Sequence, residues 1–278
     1  MKFTKILALI LAVMMLFTFV SCGNNADDGK ETDTNADTAA DTAVDTAADT
    51  DADSEDDNTI VMATNAYFPP YEYYEGETIT GIDAEIAAKI AEKLGKTLVI
   101  EDMEFNSITT AVQQGSVDFG MAGMTITEDR LLEVDFSVSY ANGVQVVIVK
   151  EDSAITSVDD LFADGATYKV GVQLGTTGDS YASGDFGTER VTQYATGNEA
   201  VLALAGGDVD CVIIDNEPAK AYVAANAGLK ILDTSYADED YAICVKKGNA
   251  ELLAQIDAAI LELTADGTIE AIVAKYIK

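Results

Sequence analysis

A guanidinium grips a carboxylate through two parallel N–H bonds, and an arginine in an acid-rich chain therefore stands out. The 278 residues carry 49 acidic and 16 basic side chains, a formal net charge of −33, and the only arginines are Arg130 and Arg190. Arg130 ends the stretch GMAGMTITEDR, residues 120–130. It reads either as a surface ion pair with Glu128 or Glu133, worth little, or as a clamp for an anion. Within the same stretch Gly123 allows close backbone approach to a ligand, and the Thr125 hydroxyl can accept from an ammonium. Thr127 is a natural N-cap for a helix starting EDR, which would fix the direction in which Arg130 leaves it.

Two further features carry chemistry. Asp215 ends the apolar run VIID and is either a buried negative partner for a cation or the N-cap of the next helix. The turn GTTG, residues 175–178, follows a strand pattern and opens a helix, so its amides are free to meet an anion. It is not a phosphate loop, since the lysine and the spacing are missing. The chain has no histidine, which removes Ser-His and Cys-His nucleophile pairs, histidine bases and histidine metal sites. No metal and no cofactor is expected. The charge excess excludes nucleic acid as a partner.

These residues need a scaffold, and the chain supplies one after an unusual start. Lys2 and Lys5 precede an apolar segment, residues 6–20, then Ser21-Cys22-Gly23. The segment is short for a membrane span and reads as a signal peptide over residues 1–21. It resembles a bacterial lipobox, with Phe19 where leucine is usual, and that resemblance implies lipidation of Cys22. Residues 22–58 contain Asp-Thr repeated every four residues and almost no large apolar side chain. Such a segment is expected to be a disordered, self-repelling acidic tether, and it lacks the order of calcium ligands. Cys211 and Cys244 lie in short apolar runs and are expected to be free thiols.

From Thr59 strands and helices alternate. TIVMAT, TLVIEDM and VDFGMAG read as strands, and IDAEIAAKIAEKLG as an amphipathic helix opened by Asp83 and closed by Gly95. After a β-rich stretch, VDFSVSYANGVQVVIVK, a second alternating series runs through VGVQLG, NEAVLALAGG, VDCVIID and NEPAKAYVAANAG. EDYAICVKKG reads as one strand before two final helices. Two such series imply α/β lobes with parallel sheets, helices on both faces and small-molecule sites at the carboxyl ends of strands.

The motifs ATNAYFPPYEY, MEFNSITTAVQQGSVD, MAGMTITEDRLLEVDFS, VGVQLGTTGDSY and VDCVIIDNEPAKAYV occur in this order. Together with the flanking segments they resemble the polar-amino-acid-binding proteins of bacterial ABC importers, solute-binding family 3. The resemblance implies an α/β, two-lobed periplasmic-binding-protein-like fold of type II. Lobe 1 would span residues 59–142 plus 240–278 and lobe 2 residues 143–239, with hinge crossings near YANGV and YADED. It implies that Arg130, Thr176 and Thr177 bind an amino acid's carboxylate and Asp215 its ammonium. Phe68 and Phe105 would wall the side chain, Asn65 and Gln173 would stand at its far end, and Gly123 and Thr125 at its head. The neutral Asn65 and Gln173 speak against strong cation selectivity, unless Glu72 or Glu104 faces inward. The expected partners are a free polar amino acid, ABC permease membrane subunits and the membrane itself, through the lipid. The protein would act as a monomer on the extracytoplasmic face of the cell membrane. Alternatives are a cyclohexadienyl dehydratase-like enzyme on the same fold and an amino-acid-sensing lipoprotein without transport.

Overall fold

The computed structural model describes residues 58–277. The segments expected to be a signal peptide and an acidic tether, with Cys22 between them, lie outside the described residues up to residue 57. Strand β1 (Thr59–Thr64) is followed by β2 (Tyr67–Phe68), β3 (Glu72–Glu75) and β4 (Thr78–Thr80), then helix α1 (Ile82–Leu94) and β5 (Thr97–Asp102). Next come α2 (Ile108–Gln114), β6 (Phe119–Gly120), α3 (Glu128–Glu133), β7 (Val134–Phe136) and the long β8 (Ala141–Lys150). The second series is β9 (Val170–Gln173), α4 (Thr177–Phe186), β10 (Val191–Tyr194), α5 (Gly197–Gly206), β11 (Cys211–Asp215), α6 (Asn216–Ala225) and β12 (Leu229–Ile231). β13 (Ala237–Tyr241), β14 (Cys244–Lys246), α7 (Ala250–Ala265) and α8 (Thr268–Tyr276) complete it.

The strands form two main sheets, β5-β1-β6-β14-β7 and β10-β9-β11-β8-β12, with β13 paired to β8. Each is mixed rather than purely parallel as the alternating pattern suggests. β1 runs parallel to β5 and β6, and β9 parallel to β10 and β11. Those pairs are joined through helices, as parallel neighbours must be. β8 instead is antiparallel to β11, β12 and β13, and β14 is antiparallel to β6 and β7. The short antiparallel β2-β3-β4 sheet is a hairpin structure set beside the two main sheets.

Burial follows the residue pattern. Ile82, Ile86 and Ile90 of α1 are fully buried while Lys89 is exposed, and Gly95 ends the helix in the left-handed conformation. Each such isoleucine contributes roughly 1.5–3 kcal/mol. Asp83 is not the cap expected of it. The N-cap is Gly81, and Asp83 is wholly buried one residue inside the helix. In β8, Val146 to Val149 are all buried, as befits a strand covered on both faces.

EDYAICVKKG is two strands, not one. The chain pairs with β8 as far as Tyr241, passes through Ala242 and Ile243, and enters the other sheet at Cys244. A strand-like sequence persists because both halves are buried, yet the hydrogen-bond partners change. Thus the first sheet takes its strands from residues 59–136 and 244–246, and the second from residues 141–241. Cys211 and Cys244 sit in different sheets, buried and free, with burial pushing each thiol up to about 12.

Candidate functional site

Between the sheets lies a narrow cavity lined by Asn65, Phe68, Glu72, Phe105, Ala122, Gly123, Thr125, Arg130, Gln173, Thr176, Thr177 and Asp215. All ten binding residues suggested by the sequence stand in this one wall, together with Glu72 and Ala122. Asn65, Gly123, Thr125, Gln173, Thr176 and Asp215 stand at or just past the carboxyl ends of β1, β6, β9 and β11.

Arg130 reaches the cavity from α3. The Thr127 hydroxyl accepts from the Arg130 N–H at 3.2 Å, the capping bond expected from the sequence. The guanidinium donates to the Thr125 carbonyl at 2.7 Å and, across the cleft, to the Gly175 carbonyl at 3.1 Å. It also lies 5.4 Å from the centre of the Phe105 ring. Among the described residues it forms no ion pair, so the pairing with Glu128 or Glu133 is not made. Burial lowers its pKa, though a guanidinium remains charged.

Asp215 is the residue before α6, but its side chain makes no capping bond. Its carboxylate accepts from Gln145 Nε2 at 2.8 Å and from the Tyr241 hydroxyl. Burial, and then the nearby Glu239, raise it to about 7. Gln145 also donates to Glu239 at 3.0 Å, and Thr125 Oγ1 donates to Glu239 at 3.1 Å. With its proton so directed, the Thr125 oxygen keeps its lone pairs for a donor. The Thr176 hydroxyl is occupied by its own turn, donating to Gln173 O at 2.8 Å and accepting from the Asp179 N–H at 3.2 Å. α4 begins at Thr177, where backbone N–H groups lack intrahelical acceptors.

The far end contains Gln173, which donates to Asn65 Oδ1 at 2.8 Å, while Asn65 donates to the Met103 carbonyl at 2.8 Å. Glu104 is exposed on the surface; Glu72 is buried and faces the cavity. Neither Glu72 oxygen has a hydrogen-bond partner. Burial and then neighbouring Asp83 push Glu72 well above the ordinary carboxylate range. The sequence named Glu72 only as conditional, because its direction depends on a hairpin whose two-residue alternation is too short to read. Gln145, Glu239 and Tyr241, in the layer behind the wall, carried no sequence signal beyond their polarity, and Asp83 read only as a helix cap.

The fold and this geometry can be set beside known proteins. Residues 60–278 match the model of the bacterial extracellular solute-binding proteins, family 3. The chain belongs to this family. Among family relatives, the arginine-binding extracellular protein ArtP of Bacillus subtilis is 29% identical over 98% of this chain and 97% of its own length. The glutamine-binding protein GlnH of the same organism is 34% identical over 72% of this chain and 73% of its own length. The solved structure of an ancestral arginine-binding protein bound to arginine is 38% identical and superimposes with a TM-score of 0.74. It covers 80% of this chain and 99% of that one. Family members of this kind bind polar amino acids outside the cytoplasm, and the two-lobed type II fold is the one seen here.

Proposed function

We propose that the protein is a receptor held on the outer face of the cell membrane by a lipid on Cys22. It captures an L-amino acid with a cationic side chain, arginine foremost, and passes it to the membrane subunits of an ABC importer. The observation that carries the side-chain assignment is Glu72, a buried carboxylate whose oxygens both lack a partner in the wall of the cavity. A buried carboxylate of this kind is costly unless a cation or proton meets it. Support comes from the names of the relatives, several of which are arginine-binding proteins.

In this reading Arg130 and the start of α4 hold the ligand's carboxylate, and Asp215 with Thr125 holds its ammonium. Phe68 and Phe105 flank the alkyl chain, and Glu72 meets the cationic tip. Contacts from both lobes exist together only when the cleft is shut, so ligand shifts the population to the closed form. Titration calorimetry with arginine, lysine, histidine, glutamine and cystine tests the assignment. Arginine is expected to bind tightest; a neutral amino acid binding more tightly overturns it. Delivery to an importer predicts reduced arginine uptake in a deletion strain.

Closure also uses a bond outside the cavity. The Tyr222 hydroxyl, from α6, donates to the Tyr67 carbonyl in the other lobe. Tyr222→Phe should weaken arginine binding about fivefold, the worth of one net hydrogen bond of about 1 kcal/mol, with most of the loss in the dissociation rate. An unchanged dissociation rate by stopped-flow would remove Tyr222 from the closure.

A further inference from the structure

Behind the cavity wall, Asp83 of α1 stands against Glu72 of β3, both 0 % exposed. Asp83 Oδ2 is well served, accepting from the Gly123 N–H and the Tyr140 hydroxyl, each at 2.8 Å. Asp83 Oδ1 and both Glu72 oxygens have no partner. Two adjacent buried carboxylates with three unbonded oxygens cannot both remain ionised, because like charges at low dielectric repel strongly. One hydrogen between them removes a charge and satisfies an oxygen on each side.

The other groups facing Glu72 offer no substitute. They are Asp215 at the end of β11 and the phenols of Tyr71, Tyr140 and Tyr222. Arg130 lines the same cavity but forms no ion pair with Glu72 or with any other carboxylate among the described residues. Asp83 has two donors on one oxygen and so keeps the charge; Glu72 has none and takes the proton.

We infer that Glu72 and Asp83 share one proton in the ligand-free protein, and that entry of a cationic side chain expels it. This rests on the assignment of Glu72 to the ligand's tip. The O–H bond of Glu72 breaks, its electron pair stays on the oxygen to face the guanidinium, and the proton passes to solvent. Asp83 thereby acts as a positioning residue for specificity without touching the ligand. A neutral side chain leaves the proton in place, with the Glu72 acid group intact, so the site's preference between cationic and neutral amino acids follows pH.

Calorimetry of the full chain in buffers of different ionisation enthalpy counts protons released. L-Citrulline shares arginine's head group and chain but has a neutral tip, so any proton released around Asp215 cancels in the comparison. At about pH 6 arginine should release about one more proton than citrulline; Glu72→Gln should erase that difference, and Asp83→Asn, which leaves Glu72 buried but removes the neighbouring charge, should shift its loss to lower pH. Equal release for both ligands overturns the shared proton. If neither ligand binds, the functional reading fails, and the ligand-free protein decides the proton alone. A carboxyl with a raised folded pKa contributes stability below its ordinary value near 4.5 that is lost as pH rises. The wild type should therefore lose melting temperature relative to Glu72→Gln as pH climbs above that value. Parallel profiles overturn the inference.

Discussion

Arg130→Ala should abolish amino-acid binding while leaving the fold intact. In the proposed complex the guanidinium is, among the described residues, the only cationic side chain lining the cavity, so its loss strands the ligand's carboxylate away from water. Truncating one member of a buried charge-assisted pair costs about 2–5 kcal/mol, or roughly 30- to 4,000-fold in affinity. Arg130→Lys keeps the charge but loses the fork that spans the Thr125 and Gly175 carbonyls. It should fall between the two. Calorimetry with arginine measures both, and far-ultraviolet circular dichroism checks the fold. Wild-type affinity in the alanine variant would refute the clamp.

The second large effect is expected at Gly123. Its φ is +53°, a region that β-branched residues enter only under strain. A Cβ there would come within 2.8 Å of Phe68 Cε1 and 3.5 Å of Tyr241 Cε2. Gly123→Val must therefore strain the backbone and push the Phe68 ring off its place in the cavity wall. Backbone strain and overpacking each cost about 1–3 kcal/mol, so a loss of about 2–5 kcal/mol in unfolding free energy is expected, together with loss of ligand binding. Gly123→Ala meets the same backbone conformation and the same first contact with a smaller side chain, and should lose less. Denaturant unfolding that leaves the valine variant as stable as the wild type would refute this account.

These residues also mark where the sequence was informative. Arg130 and its cap were legible because a helix start has a local grammar: Thr127, then two acids, then the arginine. Asp215 and the GTTG turn were legible because both follow apolar strands in an alternating pattern. Asp83 was misread for the same reason that Thr127 was read well. An acid near a helix start suggests a cap, and only the packing of α1 against the Gly123 turn and Tyr140 shows its carboxylate directed inward. The break at Ala242-Ile243 was invisible because burial continues through it. Non-local pairing, here between β13 and β8 and then between β14 and β7, leaves no mark on residue type. Glu72 lies on the boundary: its chemistry was evident, but its direction needed the hairpin.

The crossing between the lobes has a mechanical consequence. β8 and β13 run antiparallel with Ala141 opposite Tyr241 and Gln145 opposite Ala237, so the two connecting segments are laced into one ribbon. A laced ribbon resists sideways bending and yields most readily to torsion, the deformation natural to paired strands. Opening should therefore approximate a single-axis rotation, with few intermediate tilts. The Tyr241 ring lies on that ribbon because Gly143 leaves room; a Cβ at residue 143 would come within 2.5 Å of the ring. Its hydroxyl ends on Asp215. One rigid aromatic ring thus ties the ribbon directly to the Asp215 carboxylate, so a turn of the ribbon must carry that carboxylate's hydrogen-bond donor with it.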